Sequence, residues 1–288
     1  MILITDGGST KCDWIAINSK GEKAAEKIRT KGLNPAIIEE RKLNKIISKK
    51  KALRKIAPDV THVFFYGAGC GTEKPRELLK NVLQFNFPKA IVEVREDTYA
   101  AVRAAINHPN EAAVVCILGT GSNCSYFDGK ELHQRVDSLG YTLMDDASGN
   151  YFGKRLIRDY YFNKMPETIK VAFASKHNLE ADFIKYNLYK QANPSAYLAD
   201  HAEFMFLNKD SEYIINVIKD GIREFSENMI MQFKDELKSG IPVHFAGSIA
   251  FFANDEILEV AKEFGYNVGN FVRRPIDGLV NYHVNALQ

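Results

Sequence analysis

The stretch that decides the fold reads Ile2-Leu-Ile-Thr-Asp-Gly-Gly-Ser-Thr-Lys-Cys-Asp-Trp-Ile-Ala-Ile17. Its two apolar ends predict short β-strands, and its polar middle, Asp6-Gly-Gly-Ser-Thr-Lys11, predicts a tight hairpin between them. The glycines let the backbone bend and let a ligand approach its N–H groups. The hydroxyls, lysine and carboxylate on this bend suit a nucleoside triphosphate. An ordinary Asp-Gly hairpin turn is the alternative, and this stretch alone leaves both interpretations open.

The same plan occurs again at Val114-Val-Cys-Ile-Leu-Gly-Thr-Gly-Ser-Asn-Cys-Ser-Tyr-Phe127. An offset of 112 residues aligns Cys12 with Cys124 and Gly7 with Gly119. Two glycine- and hydroxyl-rich turns about one domain apart indicate two related halves that face each other across a cleft. The repetition therefore favours the ligand-binding interpretation over an accidental turn.

The composition is that of an ordinary soluble globular protein, with 288 residues, 45% of them hydrophobic and 26% charged. This length favours two domains. A net charge of only +2 gives no reason to expect a nucleic-acid or membrane partner, and the basic run from Lys42 to Lys55 fits the solvated face of an amphipathic helix. The four cysteines form no Cys-x-x-Cys motif and no secretory signal precedes them, so we expect reduced thiols in the cytoplasm.

The first half continues with an α/β pattern. Asn34 precedes a proline and either caps a helix, predicted at about 36–56, or binds a ligand. A buried-type strand then ends in the glycine-rich turn Gly67-Ala-Gly-Cys-Gly71. The next strand passes directly into a helix at Asp97, which is either the N-cap of that helix or a base that activates a hydroxyl group.

The second half begins after the proline-containing break at residues 107–110. Ser138–Asn150 carries glycines, a serine and the adjacent acids Asp145 and Asp146 ahead of a helix. These acids either contact a substrate or compensate the helix dipole.

The rest of the second half is predicted to be mainly helical. One long helix at Ser211–Lys238 is interrupted by Gly221, which fits either a flat ligand or a helix crossing. The last strand ends at Ala246, and Gly247 and Ser248 then open a helix that we expect to continue to Phe264.

Together these pieces resemble the sugar kinase–hsp70–actin superfamily over nearly the whole chain. Within it they resemble the N-acetylglucosamine kinase branch that is grouped with the BadF/BadG/BcrA/BcrD ATPases. Asp6–Lys11 is similar to the first phosphate loop of this family, Gly119–Asn123 to the second, and Ala246–Ser248 to the turn that contacts adenosine. The resemblance implies an α/β, two-domain actin-like ATPase (ribonuclease H-like) fold with an internally duplicated core and a cleft between the domains. The N-terminal domain would contain 1–108 plus about 272–288, and the C-terminal domain 109–271.

The resemblance also implies an activity, the ATP-dependent phosphorylation of a primary hydroxyl of an amino sugar, first of all N-acetylglucosamine to its 6-phosphate. Asp97 corresponds to the catalytic base, and Asp6 to the residue that holds Mg²⁺ through water. The positions that correspond to ATP and phosphate contacts are Gly7, Gly8, Ser9, Thr10, Lys11, Gly119, Thr120, Gly121, Gly221, Gly247 and Ser248. The positions that correspond to sugar contacts are Asn34, Asp97, Ser122, Asn123, Ser138, Leu139, Gly140 and Asp145.

Two differences from the family pattern concern the sugar. Met144-Asp-Asp-Ala-Ser148 stands where the family commonly has Gly-Asp-Glu-Gly-Ser, and Leu139 stands where the sugar kinase has tryptophan. An ATPase that activates a partner enzyme and a non-catalytic sugar sensor are the alternative functions. The activases of this grouping carry an iron–sulfur cluster on cysteines from two subunits, and the cysteines here do not resemble that loop. The sequence does not decide which amino sugar binds, whether Asp145 or Asp146 contacts it, or whether the chain is a monomer or a homodimer.

Overall fold

The computed structural model describes residues 1–7 and 11–286, with side chains as far as Val284. Contacts divide the chain into two compact units. The first unit contains residues 1–109 and the chain from residue 274 onward, and the second contains residues 110–273. Each unit is built around its own β-sheet.

The two sheets have five strands each within the described residues. The first contains β1 (Ile2–Gly7), β2 (Lys11–Ile17), β3 (Ile28–Lys31), β4 (His62–Gly67) and β5 (Ile91–Arg95). The second contains β6 (Ala113–Leu118), β7 (Ser122–Phe127), β8 (Leu132–His133), β9 (Val243–Ala246) and β10 (Val268–Val272).

Helices flank both sheets. In the first unit they are α1 (Glu40–Ser48), α2 (Lys51–Ile56), α3 (Glu73–Asn86), α4 (Asp97–Ala105) and, from the end of the chain, α14 (Pro275–Ala286). In the second they are α5 (Gly149–Tyr161), α6 (Glu167–Lys176), α7 (Ala181–Tyr189), α8 (Pro194–Ala199), α9 (Glu203–Phe206), α10 (Glu212–Asn228), α11 (Lys234–Lys238), α12 (Ser248–Phe252) and α13 (Asn254–Phe264). Short 3₁₀ turns occupy Ala57–Asp59, Asp200–Ala202 and Ile230–Phe233.

The two sheets share one topology. The first has the order β3-β2-β1-β4-β5 and the second the order β8-β7-β6-β9-β10. In each sheet an antiparallel hairpin lies beside two parallel strands, and a third antiparallel strand extends the hairpin side. The internal duplication that the two hairpins predicted is therefore confirmed.

The two hairpins differ in their turns. In the first, Gly7 pairs with Cys12, and in the second, Leu118 pairs with Ser122. The first turn thus encloses one residue more than the second. The sequence offset of 112 aligns the glycine and hydroxyl residues of the two turns. It does not align the residue pairs that face each other in the two hairpins.

Buried aromatic side chains fill the core of each unit. In the first, Trp14 packs against Phe65 and Phe87, with ring centroids 6.5 and 6.2 Å apart. Its indole N–H donates to the Thr30 hydroxyl at 3.1 Å, so the polar end of the ring is also satisfied. In the second, α5 contributes the fully buried Phe152 to a core shared with α10 and α13.

Several element boundaries differ from the predictions. The helix predicted at 36–56 begins at Glu40 and breaks at Lys50, which has an extended backbone. The long helix expected to reach Lys238 ends at Asn228 in a 3₁₀ turn. The helix expected to run to Phe264 breaks at Ala253. The edge strands β3 and β10 were not predicted, because neither shows a clean alternation of apolar and polar residues.

Candidate functional site

Two carboxylates lie at the carboxyl ends of β1 and β5, two parallel strands of the first sheet that β4 separates. Asp6 is the second-last residue of β1, and Asp97 begins α4 two residues after β5. Burial raises the pKa of Asp6, and the negative charges of Asp13 and Asp97 raise it further. The two candidate carboxylates are thus close enough to influence each other electrostatically.

Asp97 is not the N-cap of α4, because that position belongs to Glu96. The Asp97 side chain instead accepts a hydrogen bond from the Thr98 N–H at 3.1 Å. The residue is exposed, yet surrounding protein atoms displace enough water to raise its pKa, an effect that the backbone hydrogen bonds only partly oppose. No cation among the described residues contributes to this shift in the pKa of Asp97. A carboxylate with a raised pKa has the properties of a general base.

Asp13 provides a contrast in the same sheet. Its carboxylate contacts Lys27 at 2.9 Å and Arg29 at 2.6 Å. Hydrogen bonds from these cations, Arg29 first, lower the pKa of Asp13 to about 2. This carboxylate is committed to an ion-pair cluster, which makes it a structural group.

Asn34 lies against the third glycine-rich turn. Its side-chain oxygen accepts a hydrogen bond from the Ala36 N–H at 3.0 Å, so it stabilises a local turn and does not cap α1. A side chain at Gly69, where φ is +80°, would place its Cβ only 2.0 Å from that oxygen. At Gly71 a Cβ would lie 2.8 Å from a Glu96 carboxylate oxygen. The glycines therefore let this loop approach both Asn34 and the start of α4 closely.

The predicted first phosphate turn is described only at its two ends. Gly7 is buried, and a Cβ there would meet the Phe65 ring at 2.5 Å. Lys11 is exposed as the first residue of β2. Gly8, Ser9 and Thr10 lie outside the described residues, and their phosphate contacts stay a prediction.

The predicted second phosphate turn, Gly119–Asn123, begins directly after β6, and its phosphate contacts stay a prediction. The Gly119 N–H donates to the Gly121 carbonyl at 2.9 Å. A phosphate at this turn would therefore have to be held by the N–H groups of Thr120 and Gly121 and by the exposed Thr120 hydroxyl. A Cβ at Gly121 would lie 2.8 Å from an Asp145 carboxylate oxygen. The turn and the acidic segment 145–148 are thus in close contact.

The acidic segment has an unusual backbone. Asp145 and Ala147 both have positive φ, at 69° and 54°, a conformation that costs a non-glycine residue about 1–2 kcal/mol. Ala147 stands where the family commonly has glycine, so this difference in sequence falls on a strained position. Strain of this kind is typical of ligand-binding segments. Ser148 is the N-cap of α5 and accepts the Tyr151 N–H at 3.3 Å.

A cavity of about 200 Å³ brings several predicted sugar contacts together in the second unit. Its lining includes Ser122, Asn123, Ser138, Asp145 and Asp146, with Val136, Leu143, Met144, Asn228 and Met229. The volume is below the roughly 300–1,000 Å³ of sites for drug-sized ligands and suits a monosaccharide. A larger groove of about 770 Å³ lies between basic residues of β3 and α1, and none of its lining residues is a predicted site residue.

Leu139 and Gly140 do not line this cavity. Leu139 is 59% exposed, and its N–H points to the Met144 sulfur at 3.4 Å. Gly140 has φ of +82°, and its carbonyl accepts the Met144 N–H at 2.9 Å. These two residues shape the loop that carries Ser138 and Met144, and their sugar contacts stay predictions.

The predicted adenosine-side glycines have different surroundings. Gly247 has φ of +111°, and a Cβ there would lie 2.3 Å from the Leu118 carbonyl oxygen. This places Gly247 and the exposed Ser248 directly beside the second phosphate turn. Gly221 is buried in α10, where a Cβ would meet the Phe152 ring at 2.6 Å. Helix packing accounts for Gly221, and a contact with adenosine stays a prediction.

Sequence reasoning missed three residues of this region. Asn228 donates to the Asp146 carboxylate at 2.9 Å and lines the cavity with Met229. Asn150 bridges the phosphate turn and Asp145. Asn150 could have been noticed in the sequence, because it is a polar residue among glycine and aromatic residues at the start of α5. No local pattern marks Asn228, which reaches Asp146 only through the packing of α10.

The described residues contain no group of three or more His, Cys, Asp or Glu side chains that could hold a metal ion by themselves. Among these residues, too, no helix combines the length and apolar character needed to cross a membrane.

The duplicated sheets, each with a glycine turn after its first strand, define an actin-like ATPase fold. Comparisons with family models and with curated proteins gave no match. Among solved structures, the chain matches a Porphyromonas gingivalis protein provisionally assigned as an N-acetylglucosamine kinase. The two share 30% identity over 100% of both chains, with a TM-score of 0.88.

Two more distant structures share the fold. A Chromobacterium violaceum protein with the same provisional assignment is 14% identical over 98% of both chains, with a TM-score of 0.67. A ROK family glucokinase from Streptomyces griseus, solved with glucose and AMPPNP, is 14% identical over 98% of this chain and 97% of that chain, with a TM-score of 0.56. These two structures show the shared fold alone. The 30% identity with the P. gingivalis relative over the whole of both chains shows that this chain belongs to the N-acetylglucosamine kinase family of actin-like sugar kinases.

Proposed function

We propose that this protein transfers the γ-phosphoryl group of ATP to a primary hydroxyl of an amino sugar, with N-acetylglucosamine as the first candidate and its 6-phosphate as the product. The observation that carries the proposal is Asp97, an exposed carboxylate with a raised pKa at the start of α4. Family membership and the small cavity of the second unit, which has both polar and apolar lining residues, support it. The two units would be the two domains of the kinase.

The cavity side chains suit a sugar because they offer both kinds of hydrogen-bonding group. Ser122 and Ser138 supply hydroxyls, Asn123 supplies an amide, and Asp145 supplies a carboxylate. Each of the two adjacent acids accepts one hydrogen bond from an asparagine, Asp145 from Asn150 and Asp146 from Asn228. We assign the sugar contact to Asp145, because this carboxylate also lies beside Gly121 of the predicted second phosphate turn. Leu143, Met144 and Met229 give the cavity an apolar side that can cover a sugar face or an acetyl group.

The residues around Asp6 fit a hard cation. Burial raises the pKa of Asp6, and the negative charges of Asp13 and Asp97 raise it further, a repulsion that a divalent cation would relieve. Mg²⁺ typically uses one or two carboxylates, waters and substrate phosphates, so Asp6 would hold it together with waters and the phosphates of ATP. When bound, Mg²⁺·ATP supplies the transferable phosphoryl group and neutralises its charge.

The chain's own residues would position and activate the sugar. Asp97 accepts the proton of the attacking hydroxyl, while the cavity residues hold the ring in one orientation. The second phosphate turn and Lys11 provide N–H, hydroxyl and ammonium donors for phosphate oxygens. Positioning and electrostatic complementarity would supply the acceleration, as expected for phosphoryl transfer.

The proposal also accounts for the cysteines. Cys12, Cys70, Cys116 and Cys124 are all free and buried, and burial raises the pKa of the Cys70 thiol to about 12. Buried thiols are poorly placed to bind a cluster shared between subunits, which weighs against an iron–sulfur activase. Free thiols also agree with a cytoplasmic enzyme.

The test is an ADP-release assay with Mg²⁺·ATP and a panel of N-acetylglucosamine, glucosamine, N-acetylmannosamine, N-acetylmuramic acid and glucose. ³¹P and ¹³C NMR would identify the phosphorylated position of the product. We expect sugar-dependent ADP release and a phosphate on the primary hydroxyl. Sugar binding with no ADP release would support the sensor, and ADP release that no sugar stimulates would support the partner-activating ATPase.

A further inference from the structure

Asn150 is a fully buried amide at the second position of α5. Its Nδ2 donates to the Thr120 carbonyl oxygen at 2.7 Å and to Oδ2 of Asp145 at 2.9 Å. A longer contact of 3.3 Å joins Nδ2 to the Ser195 hydroxyl oxygen. One side chain therefore contacts both the second phosphate turn and the acidic segment that lines the sugar cavity.

The acceptors around Asn150 fix the orientation of its amide. A carbonyl and a carboxylate can only accept hydrogen bonds, so the NH₂ group must face them. The Asn150 Oδ1 atom is buried and has no hydrogen-bond partner among the described residues. Such a buried unsatisfied acceptor costs about 1–3 kcal/mol. The two bonds made by Nδ2 therefore account for an amide at a position where packing alone would favour an apolar side chain.

The backbone around Asn150 reinforces the same connection. The Gly149 N–H donates to the Gly119 carbonyl at 2.7 Å, and the Asn150 N–H donates to the Thr120 carbonyl at 3.1 Å. The Thr120 carbonyl thus accepts from both the backbone and the side chain of Asn150. The start of α5 holds the turn in place through three hydrogen bonds.

The hydrogen bond from Asn150 to Asp145 connects α5 to the acidic segment 145–148. Asp145 has a positive φ of 69°, so its backbone conformation must be maintained by its surroundings. Because its carboxylate also lies directly over Gly121, any shift of the Asp145 carboxylate would change the space available at the phosphate turn.

We propose that Asn150 is a positioning residue that couples the sugar-contacting carboxylate of Asp145 to the second phosphate turn. Sugar binding at Asp145 and nucleotide binding at the turn would then strengthen each other, by equal factors in both directions. This inference rests on the proposed function, because it assigns the two connected segments to sugar and phosphate.

Calorimetry on wild type and Asn150→Ala tests the coupling. The dissociation constant of N-acetylglucosamine is measured with and without Mg²⁺·AMPPNP, and that of Mg²⁺·AMPPNP with and without the sugar. We expect each ligand to tighten the other in wild type. In Asn150→Ala we expect sugar affinity to fall about tenfold, the order of one lost hydrogen bond to a charged group, and mutual tightening to fall below twofold.

Asn208→Ala is the matched control. Asn208 follows α9, and its Nδ2 donates to the Phe204 carbonyl at 2.7 Å. Neither Asn208 nor Phe204 is among the proposed site residues. This variant also loses an amide-to-carbonyl bond, so it should lower stability while keeping both dissociation constants and their coupling. If Asn150→Ala fails to fold, Asn150→Ser, whose hydroxyl can donate only one bond, is expected to show a partial loss of coupling.

The outcomes separate this inference from the proposed function. Wild-type coupling in a folded Asn150 variant overturns the positioning role. If wild type binds neither ligand, the proposed function fails, and hydrogen exchange decides the positioning role alone. We then expect the amides of residues 119–123 to exchange at least tenfold faster in Asn150→Ala than in Asn208→Ala, and equal exchange would refute it.

Discussion

Replacing Asp97 by asparagine removes the proposed base while keeping the size of the side chain. General-base catalysis contributes about 10²–10⁴-fold, so kcat for sugar phosphorylation should fall by that factor, which corresponds to about 3–5 kcal/mol in the activation barrier. Because Asp97 is not a predicted nucleotide contact, the dissociation constant of Mg²⁺·AMPPNP should change by less than about threefold.

The pH dependence follows from the direction of the pKa shift. The surrounding protein atoms displace water from Asp97 and raise its pKa above 3.8, so the acid limb of kcat/KM should begin at a higher pH than for an ordinary aspartate. ADP release measured between pH 5 and 9 gives this limb, which should be absent from the residual activity of Asp97→Asn.

The raised pKa of Asp97 also predicts how the stability of the fold changes with pH. Between pH 3.8 and the raised pKa, folded Asp97 holds a proton that the unfolded chain has lost, so stability declines as the pH rises through this window. At neutral pH the charged carboxylate destabilises the fold, and Asp97→Asn should therefore raise Tm there. Below pH 3.8 the two proteins should have similar stability.

Asp13→Asn is the control with the opposite sign. Its pKa is lowered to about 2 by Arg29 and Lys27, so its stabilising effect is present above pH 3.8 and is lost as the pH falls toward 2. This variant should lower Tm at neutral pH, in contrast to the rise expected for Asp97→Asn. An Asp97→Asn enzyme with wild-type kcat would refute the assignment of the base.

Three further substitutions test particular contacts. Gly221→Ala places a Cβ 2.6 Å from the Phe152 ring. This overpacking should lower the free energy of unfolding, measured in urea, by about 1–3 kcal/mol. A higher AMPPNP dissociation constant with unchanged stability would instead support a ligand contact. Thr30→Val leaves the buried Trp14 N–H without its acceptor and should cost about 1–3 kcal/mol; the fluorescence of this single tryptophan reports the loss, and an unchanged midpoint would contradict it. Gly121→Ala adds a methyl group 2.8 Å from a carboxylate oxygen of the acidic segment and should raise the KM for the sugar at least fivefold; an unchanged KM would show that this carboxylate does not contact the sugar.

The local pattern of the sequence was sufficient for the duplicated architecture. Gly7 and Gly121 mark the two hairpins, because a Cβ would lie 2.5 Å from the Phe65 ring at Gly7 and 2.8 Å from an Asp145 carboxylate oxygen at Gly121. The switch from strand to helix placed Asp97 at an exposed edge, because polar residues at such a junction cannot be buried in the sheet. These features depend on residues close together in the chain.

Other features depended on packing between distant segments. The sequence left two explanations for Gly221, and the contact between α10 and α5 supplied the one based on packing. Likewise, Asp145 and Asp146 are neighbouring acids in the sequence, and only the structure shows that each has a different amide donor: Asn150 for Asp145, and Asn228, 82 residues away, for Asp146.

The sequence by itself thus determined the two related halves, their glycine turns and the candidate base, because turn chemistry and strand periodicity are properties of short segments. Only the tertiary structure decided how the second turn is held, through the buried amide of Asn150 and the strained backbone of Asp145. The physical reason is that hydrogen-bond partners and positive φ angles are set by the surroundings of a residue, which residue type alone does not specify.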